Sequence, residues 1–359
     1  NKGKQHMKKL LTLVAVMIFT VTSALADYTI YLPTKPGSGL DTWAQVIIKE
    51  LKKHVDEPIV TQHIPGARHL VGMNKWQKDN RFNNKAITVT GGTTSLNTLV
   101  VKGVEYDYTT WDALGVQLLD IFIGKAKTWD PLGDVKMVFG NDHAAGDVTG
   151  MILMYCGPLD GKMTSYKKCI DERMTYVKGV GDKEGTLMFM RGEFNIFRGN
   201  PTAWTKKIAK IDTGELWFTQ GVYVPDNKST SENKFAIGYA FDTVFEKTWG
   251  VKPSGELYDV YRLAQTQNDA LQKGLWVNKG NPNRDKLVAA FKKMLADTES
   301  RAIIAKASGG DYNWALGEEA DQIVLDLRAN YTEKKLKDLA WWFNTIFGWK
   351  AEFKPELLK

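Results

Sequence analysis

The sequence predicts an α/β protein of two lobes, with a ligand cleft between them, and three observations carry that expectation. Short apolar strands are followed by glycine-bearing loops and then by helices. Three such units fit into the first 75 residues of the body. The same pattern restarts in the middle of the chain, after residue 130. Alternating strands and helices indicate a sheet of parallel strands with helices packed on it. With 359 residues, 43% hydrophobic and 25% charged, the chain can bury a core in each lobe and is neither a disordered tail nor a multi-span membrane protein.

Met7-Lys8-Lys9, the apolar run Leu10 to Val21 and the small residues ending in Ala24-Leu25-Ala26 have the order of a secretory signal. Cleavage is expected after Ala26, with export. Residues 1–6 lie upstream of the signal. The alternative, a membrane anchor, is disfavoured because the run is shorter than the roughly 20 residues that a bilayer requires. Four of the 48 basic residues precede residue 27 and no acid does, so residues 27–359 carry 44 basic against 41 acidic groups. That balance argues against a nucleic-acid partner. Cys156 and Cys169 are the sole cysteines; in an exported chain they are expected to form a disulfide.

The body opens with a strand candidate, Tyr28 to Leu32, then a loop, Pro33 to Gly39. A helix follows, with Leu40, Trp43, Ala44, Ile47, Leu51 and Val55 at helical spacing. A strand from Pro58 to Gln62 leads to the turn Pro65-Gly66-Ala67 and a helix from about Leu70. A third strand, Ala86 to Thr90, ends at Gly91-Gly92-Thr93-Thr94-Ser95. Aliphatic stretches at 116–123 and 135–139 flank a polar connection. The second of them runs into Gly140-Asn141-Asp142-His143-Ala144-Ala145-Gly146, and a shorter strand, Met174 to Val177, precedes Lys178-Gly179-Val180-Gly181. Helices are expected at 234–249, 284–296, 318–329 and 333–347. The domains read as 27–129 with 226–359, and 130–225.

In a parallel α/β sheet, ligands sit beyond the carboxyl ends of the strands. Glycines there let backbone N–H groups come close to a ligand, and a helix N-terminus favours an anion. Any one such loop is equally an ordinary turn; four of them after strands, in two halves, suggest a shared cleft. Gly179-x-Gly181-x-x-x-Gly185 misses the dinucleotide spacing, and no phosphate-loop motif or nucleophile elbow occurs. His63 and His69 could ligate a metal only in isolation from any supporting cluster, so no metal and no cofactor is expected. His143 with Asp142 and Asp147 reads either as a catalytic pair or as a polar loop lining the cleft.

The stretch Tyr31 to Trp43, YLPTKPGSGLDTW, resembles the start of the tripartite tricarboxylate transporter solute receptors, the Bug family. Gln62 to Met73, QHIPGARHLVGM, resembles the family's next mark, in which glycines stand where this chain has Arg68 and His69. Tyr106-Asp107-Tyr108 with Trp111-Asp112, the turn Phe139 to Gly146, and Tyr176-Val177-Lys178-Gly179 are similar to later family segments. The likeness is strongest over about 27–125 and continues in order to about 310. The segment 157–170 and the tail from Glu319 exceed the family pattern.

The resemblance implies a periplasmic binding protein of type II that performs no catalysis. It would capture a small carboxylate and deliver it to membrane transporter subunits, acting as a monomer. It points to Gly37, Ser38 and Gly39, to Pro65, Gly66 and Ala67, and to Gly140, Asn141 and Gly146 as ligand-contacting positions. Gly92, Thr93, His143, Lys178 and Gly179 join them from the remaining loops. Asp41 is expected to stabilise the loop and helix start. Arg68 either pairs with a second ligand carboxylate or faces solvent. The competing reading is a secreted α/β hydrolytic enzyme acting on a small acid or ester. For helix 333–347, the apolar stripe of Leu336, Leu339, Phe343, Ile346 and Phe347 suggests core packing, with membrane-surface docking as the alternative.

Overall fold

The computed structural model describes residues 27–141 and 146–358. The expected signal, residues 1–26, and residues 142–145, which include His143, lie outside the described residues. In β1 (Tyr28–Leu32), Tyr28, Ile30 and Leu32 are fully buried and alternate with half-buried Thr29 and Tyr31, the period of two that a strand imposes. The expected helix is α1 (Gly39–Leu51), which lays Trp43, Ala44, Ile47, Ile48 and Leu51 against the sheet. Next come β2 (Ile59–His63), α2 (Leu70–Asp79), β3 (Ala86–Gly91), α3 (Gly92–Val100) and β4 (Trp111–Gln117).

β1 pairs parallel with β2 and β3. The next neighbour of β3 is not β4 but a strand from far along the chain, β12 (Lys273–Asn278). It runs antiparallel between β3 and β4 and gives the order β13-β4-β12-β3-β1-β2, with β13 (Trp314–Leu316) at the edge. Alternation along β12 sends Leu275 and Val277 to one face and Trp276 to the other. The first face is covered by α1, α10 (Arg284–Ala296) and α11 (Thr298–Ser308). The second is covered by α2 and α12 (Glu318–Ala329).

The second lobe has an antiparallel sheet, β8 (Ile196–Gly199), β5 (Phe122–Ala126) and β9 (Gly214–Thr219), in the order β8-β5-β9. A parallel pair, β6 (Met137–Asn141) and β7 (Met174–Lys178), adjoins it. Asn195 stitches the two together. Its backbone N–H donates to Val138 O at 3.0 Å, its Oδ1 accepts the Val138 N–H at 2.7 Å, and its carbonyl accepts the Ala126 N–H at 2.9 Å. The helices α4 (Gly146–Cys156), α5 (Met163–Arg173), α6 (Asp182–Met190) and α7 (Pro201–Lys206) complete the lobe. Cys156 at the end of α4 is bonded to Cys169 within α5.

The domain limits expected at 129/130 and 225/226 do not coincide with the sheets. The chain leaves the first sheet after Gln117 and enters the second at Phe122, so β5 belongs with the second lobe although it precedes residue 130. The sequence shows one aliphatic stretch there, because buried Leu118, Leu119 and Ile121 continue the apolar run across the crossing. The chain returns after Thr219 through an antiparallel pair, β10 (Val222–Val224) and β11 (Ser229–Ser231). Then α8 (Phe241–Trp249) and the first half of α9 (Glu256–Ala270) pack with the second-lobe core, whereas Ala270 and Leu271 pack in the first. α9 thus spans both lobes; it and β12 were not expected from the sequence.

The C-terminal helix α13 (Glu333–Phe347) buries Leu336, Leu339, Trp342, Phe343 and Phe347 in the second-lobe core. It is a core-packing helix. The tail beyond it crosses to the first lobe, where Ala351 bridges to Val101 and the Glu352 N–H donates to Val100 O at 2.7 Å. No helix among the described residues is long and apolar enough to cross a membrane.

Candidate ligand-binding cleft

The first loop is built around Asp41, buried in the first turn of α1. Its Oδ2 accepts the Gly37 N–H at 2.6 Å, while Oδ1 is bonded to His63 Nε2 at 2.8 Å and Gln45 Nε2 at 3.0 Å. Burial pushes the carboxyl pKa up, but the bonds from Gly37, His63 and Gln45 outweigh it and hold the group below its usual value. Ser38 caps α1: its Oγ accepts the Asp41 N–H at 3.2 Å and the Thr34 hydroxyl at 2.8 Å. The Ser38 N–H donates to Lys35 O. Of the expected contacts in this loop, the Gly37 and Ser38 amides and the Ser38 hydroxyl therefore serve the loop itself. The amides of Gly39 and Leu40 have no protein acceptor among the described residues and stand at the positive end of α1.

The first loop lies directly against the second lobe. A Cβ at Gly37 would lie 3.6 Å from the Lys183 Nζ in α6, and one at Gly39 would lie 3.9 Å from the Asn200 Nδ2 at the start of α7. Neither Lys183 nor Asn200 was singled out from the sequence. Asn200-Pro201 carries a legible signal as a helix cap followed by proline at the first helical position, and the Asn200 Oδ1 does accept the Ala203 N–H. Lys183 has no such signal; proximity to Gly37 arises only from the fold.

The second loop runs through Gly66 at φ 144° and then three consecutive non-glycine residues with left-handed φ: Ala67 at 43°, Arg68 at 54° and His69 at 74°. Such residues are held by their surroundings. The Arg68 carbonyl accepts Asn97 Nδ2 at 2.9 Å, His69 Nδ1 lies 3.1 Å from Thr94 Oγ1, and the Arg68 guanidinium lies 3.9 Å from the centre of the Trp349 ring. Arg68 is thus half-buried under the C-terminal tail. A cavity of about 300 Å³ lies beside it, lined by Val101, Lys102, Gly348, Trp349 and Lys350. Pro65 and Ala67 are exposed.

Gly92 sits where α3 meets α9. Its N–H donates to Gln272 Oε1 at 3.2 Å, and a Cβ would fall 2.0 Å from Asn268 Oδ1. Thr93 beside it is half-exposed. Gly146 similarly allows α4 to lie on α9, since a Cβ would be 2.8 Å from the Gln265 backbone nitrogen. Gly140, the penultimate residue of β6, has Phe194 and Val180 where a side chain would go, and Asn141 is the last residue of that strand. Lys178 and Gly179, the latter at φ 81°, are exposed at the end of β7. Asp147 in the first turn of α4 is ion-paired with Arg198 of β8. The structure brings Gly37, Gly39, Lys183 and Asn200 together, whereas Gly92, Gly140 and Gly146 fit packed backbone. Among the described residues no His, Cys, Asp and Glu cluster could hold a metal; His63 and His69 instead bond to Asp41 and Thr94.

No protein-family model matches the chain. No curated protein matches it either. Solved structures do. The periplasmic binding protein BugD superimposes with a TM-score of 0.56 at 13% identity, over 90% of this chain and 97% of that one. MatC of Rhodopseudomonas palustris with bound malate gives 0.53 at 14% identity, over 88% and 97%. An R. palustris protein with adipate gives 0.54 at 11% identity, over 88% and 94%. The chain has the fold of these two-lobed periplasmic binding proteins.

Proposed function

We propose that this chain is an extracytoplasmic receptor that captures a small carboxylate-bearing solute between its lobes and delivers it to a tripartite tricarboxylate-type membrane transporter. The observation that carries the reading is the juxtaposition at the first loop. Two unpaired amides at the α1 N-terminus, of Gly39 and Leu40, share one rim of the cleft with the Lys183 ammonium and the Asn200 amide of the opposite lobe. Backbone donors, a helix dipole and a facing cation favour an anion, and a ligand touching both lobes favours the closed form. Two of the similar structures hold malate and adipate, both dicarboxylates.

Within this reading, Gly39, Leu40, Lys183 and Asn200 contact the ligand. Gly66 and Ala67 approach it from the second loop and Thr93 from the third, and Asn141, Lys178 and Gly179 close over it. Asp41 shapes the first loop rather than touching the ligand, and Gly92, Gly140 and Gly146 set the backbone approach. The chain performs no reaction, binds no cofactor and works as a monomer after cleavage behind Ala26. A thermal-shift screen of small organic acids, their esters and sugars tests it. Acids should raise the melting temperature and the neutral compounds should not; equal shifts for acids and esters would overturn the carboxylate assignment.

A further inference from the structure

A cavity of about 200 Å³ lies away from the cleft, between α12 and the C-terminal tail. Its apolar walls include Val104, Leu271, Val324, Leu327 and Leu357, and the rings of Tyr106, Tyr108 and Tyr331 also line it. The Tyr106 hydroxyl donates to Thr94 O at 2.9 Å and the Tyr331 hydroxyl to Gln267 Oε1 at 2.6 Å, so those polar ends are satisfied. Two cationic donors are not. Lys354, 7% exposed, makes one hydrogen bond, to Thr98 O at 3.2 Å, and no carboxylate lies within ion-pair distance of it among the described residues. Arg328 bonds Asp107 and the Glu356 carbonyl through its two terminal nitrogens, but its Nε is buried without a partner. A buried ammonium is costly unless paired, and burial lowers the pKa of this one.

We propose that this cavity is a second ligand site, for a small monocarboxylate with a short apolar or aromatic body. The carboxylate pairs with the Lys354 ammonium, and the body lies against Leu271, Val324 and Leu357. The carboxylates that also border the cavity, Glu105, Asp107 and Glu356, are half-buried or exposed, and Asp107 is already paired with Arg328. A bound anion bridges α12 and the tail, and so fastens the tail to the first lobe. This site uses none of the residues assigned to the cleft, and it stands or falls separately from the receptor reading.

Titration calorimetry of the full chain tests it, with benzoate as probe and benzyl alcohol as the neutral control. Benzoate should bind the wild type and the cleft variant Gly39→Val alike, with no binding of benzyl alcohol. Lys354→Met, nearly equal in volume, should weaken benzoate at least about tenfold, the loss expected for a hydrogen bond to a charged group. Leu357→Trp should do the same by filling the cavity while keeping the lysine, and it decides the matter if Lys354→Met does not fold. The proposal is overturned if the wild type does not bind millimolar benzoate, or if benzyl alcohol binds equally well. It is also overturned if both tail variants bind benzoate as the wild type does. Loss in Gly39→Val alone places benzoate in the cleft, which sinks the second site and leaves the receptor reading standing.

Discussion

Asp120 and Gly221 tie together two of the crossings between the lobes: Asp120 Oδ1 accepts the Gly221 N–H at 3.0 Å. Asp120 lies between β4 and β5, and Gly221 follows β9. Asp120 Oδ2 also accepts Asn233 Nδ2 at 2.8 Å. Burial pushes the Asp120 pKa up to about 6, only partly offset by the bonds from Asn233, Ile121 and Gly221. A carboxyl with a raised folded pKa keeps its proton while the unfolded chain has already released it. Its contribution to stability therefore falls as pH rises from about 4 to about 6 and is constant above that.

Asp120→Asn should remove that slope. The stability difference between wild type and variant should shrink with rising pH across this window, by on the order of 3 kcal/mol at full burial. Urea unfolding of both proteins at pH 4, 5, 6 and 7 measures it. A difference that does not change with pH would show that Asp120 does not titrate at a raised pKa.

The Cys156–Cys169 bond closes a short loop between α4 and α5. In the chain-entropy model a loop of this length stabilises by about 3 kcal/mol. The double variant Cys156→Ser with Cys169→Ser should lose about that much in denaturant titration. Protein purified without reductant and then denatured should show no reactive thiol.

Ala67 is exposed and left-handed, a conformation that costs a side chain roughly 1–2 kcal/mol. Ala67→Gly relieves this and loosens the unfolded chain, so a net gain of about 0.5–1 kcal/mol is expected. A loss in urea unfolding would mean that the Ala67 methyl makes a contact worth more than the strain. Gly72 is the reverse case. A Cβ there would lie 2.3 Å from Ile64 O and 2.8 Å from Pro33 Cα, so both first-lobe loops must move. Gly72→Ala should cost about 1–3 kcal/mol and abolish ligand-induced stabilisation.

Much of the first lobe was legible because its signals are local. Leu40, Trp43, Ile47 and Leu51 repeat at helical spacing, and β1 alternates within five residues. β12 was not legible. Its partners β3 and β4 lie more than 150 residues away, and α9 before it buries polar residues such as Gln265, Asn268 and Asp269 that read as exposed. The loops were read by residue type, but a glycine's use depends on its neighbour. Gly39 opens toward Asn200, whereas Gly92 and Gly146 make room for α9. The same limit hid Lys183, which comes to lie beside Gly37 only when the lobes meet.

That difference between glycines sets the final prediction. Gly39 has no left-handed requirement, and a Cβ there has only Asn200 Nδ2 near it, at 3.9 Å, so Gly39→Val should fold normally and project into the cleft. Gly66, at φ 144° with Val71 3.0 Å from a Cβ, should lose stability on the same substitution. At a hundredfold excess over its dissociation constant, a cleft ligand should stabilise the wild type by about 2.7 kcal/mol. For a chain of this length that is a rise of roughly 2–4 °C per kcal/mol, or somewhat less. Gly39→Val should keep the ligand-free melting temperature and lose the rise. Lys183→Met should also keep its ligand-free stability, since the lysine is exposed, and weaken an acid at least about tenfold while leaving any neutral compound unaffected. Differential scanning fluorimetry of the three variants against the acid that shifts the wild type most is the measurement. A Gly39→Val protein that still shows the full rise would place the ligand away from the α1 N-terminus, because a valine there leaves no room for an anion on the Gly39 and Leu40 amides.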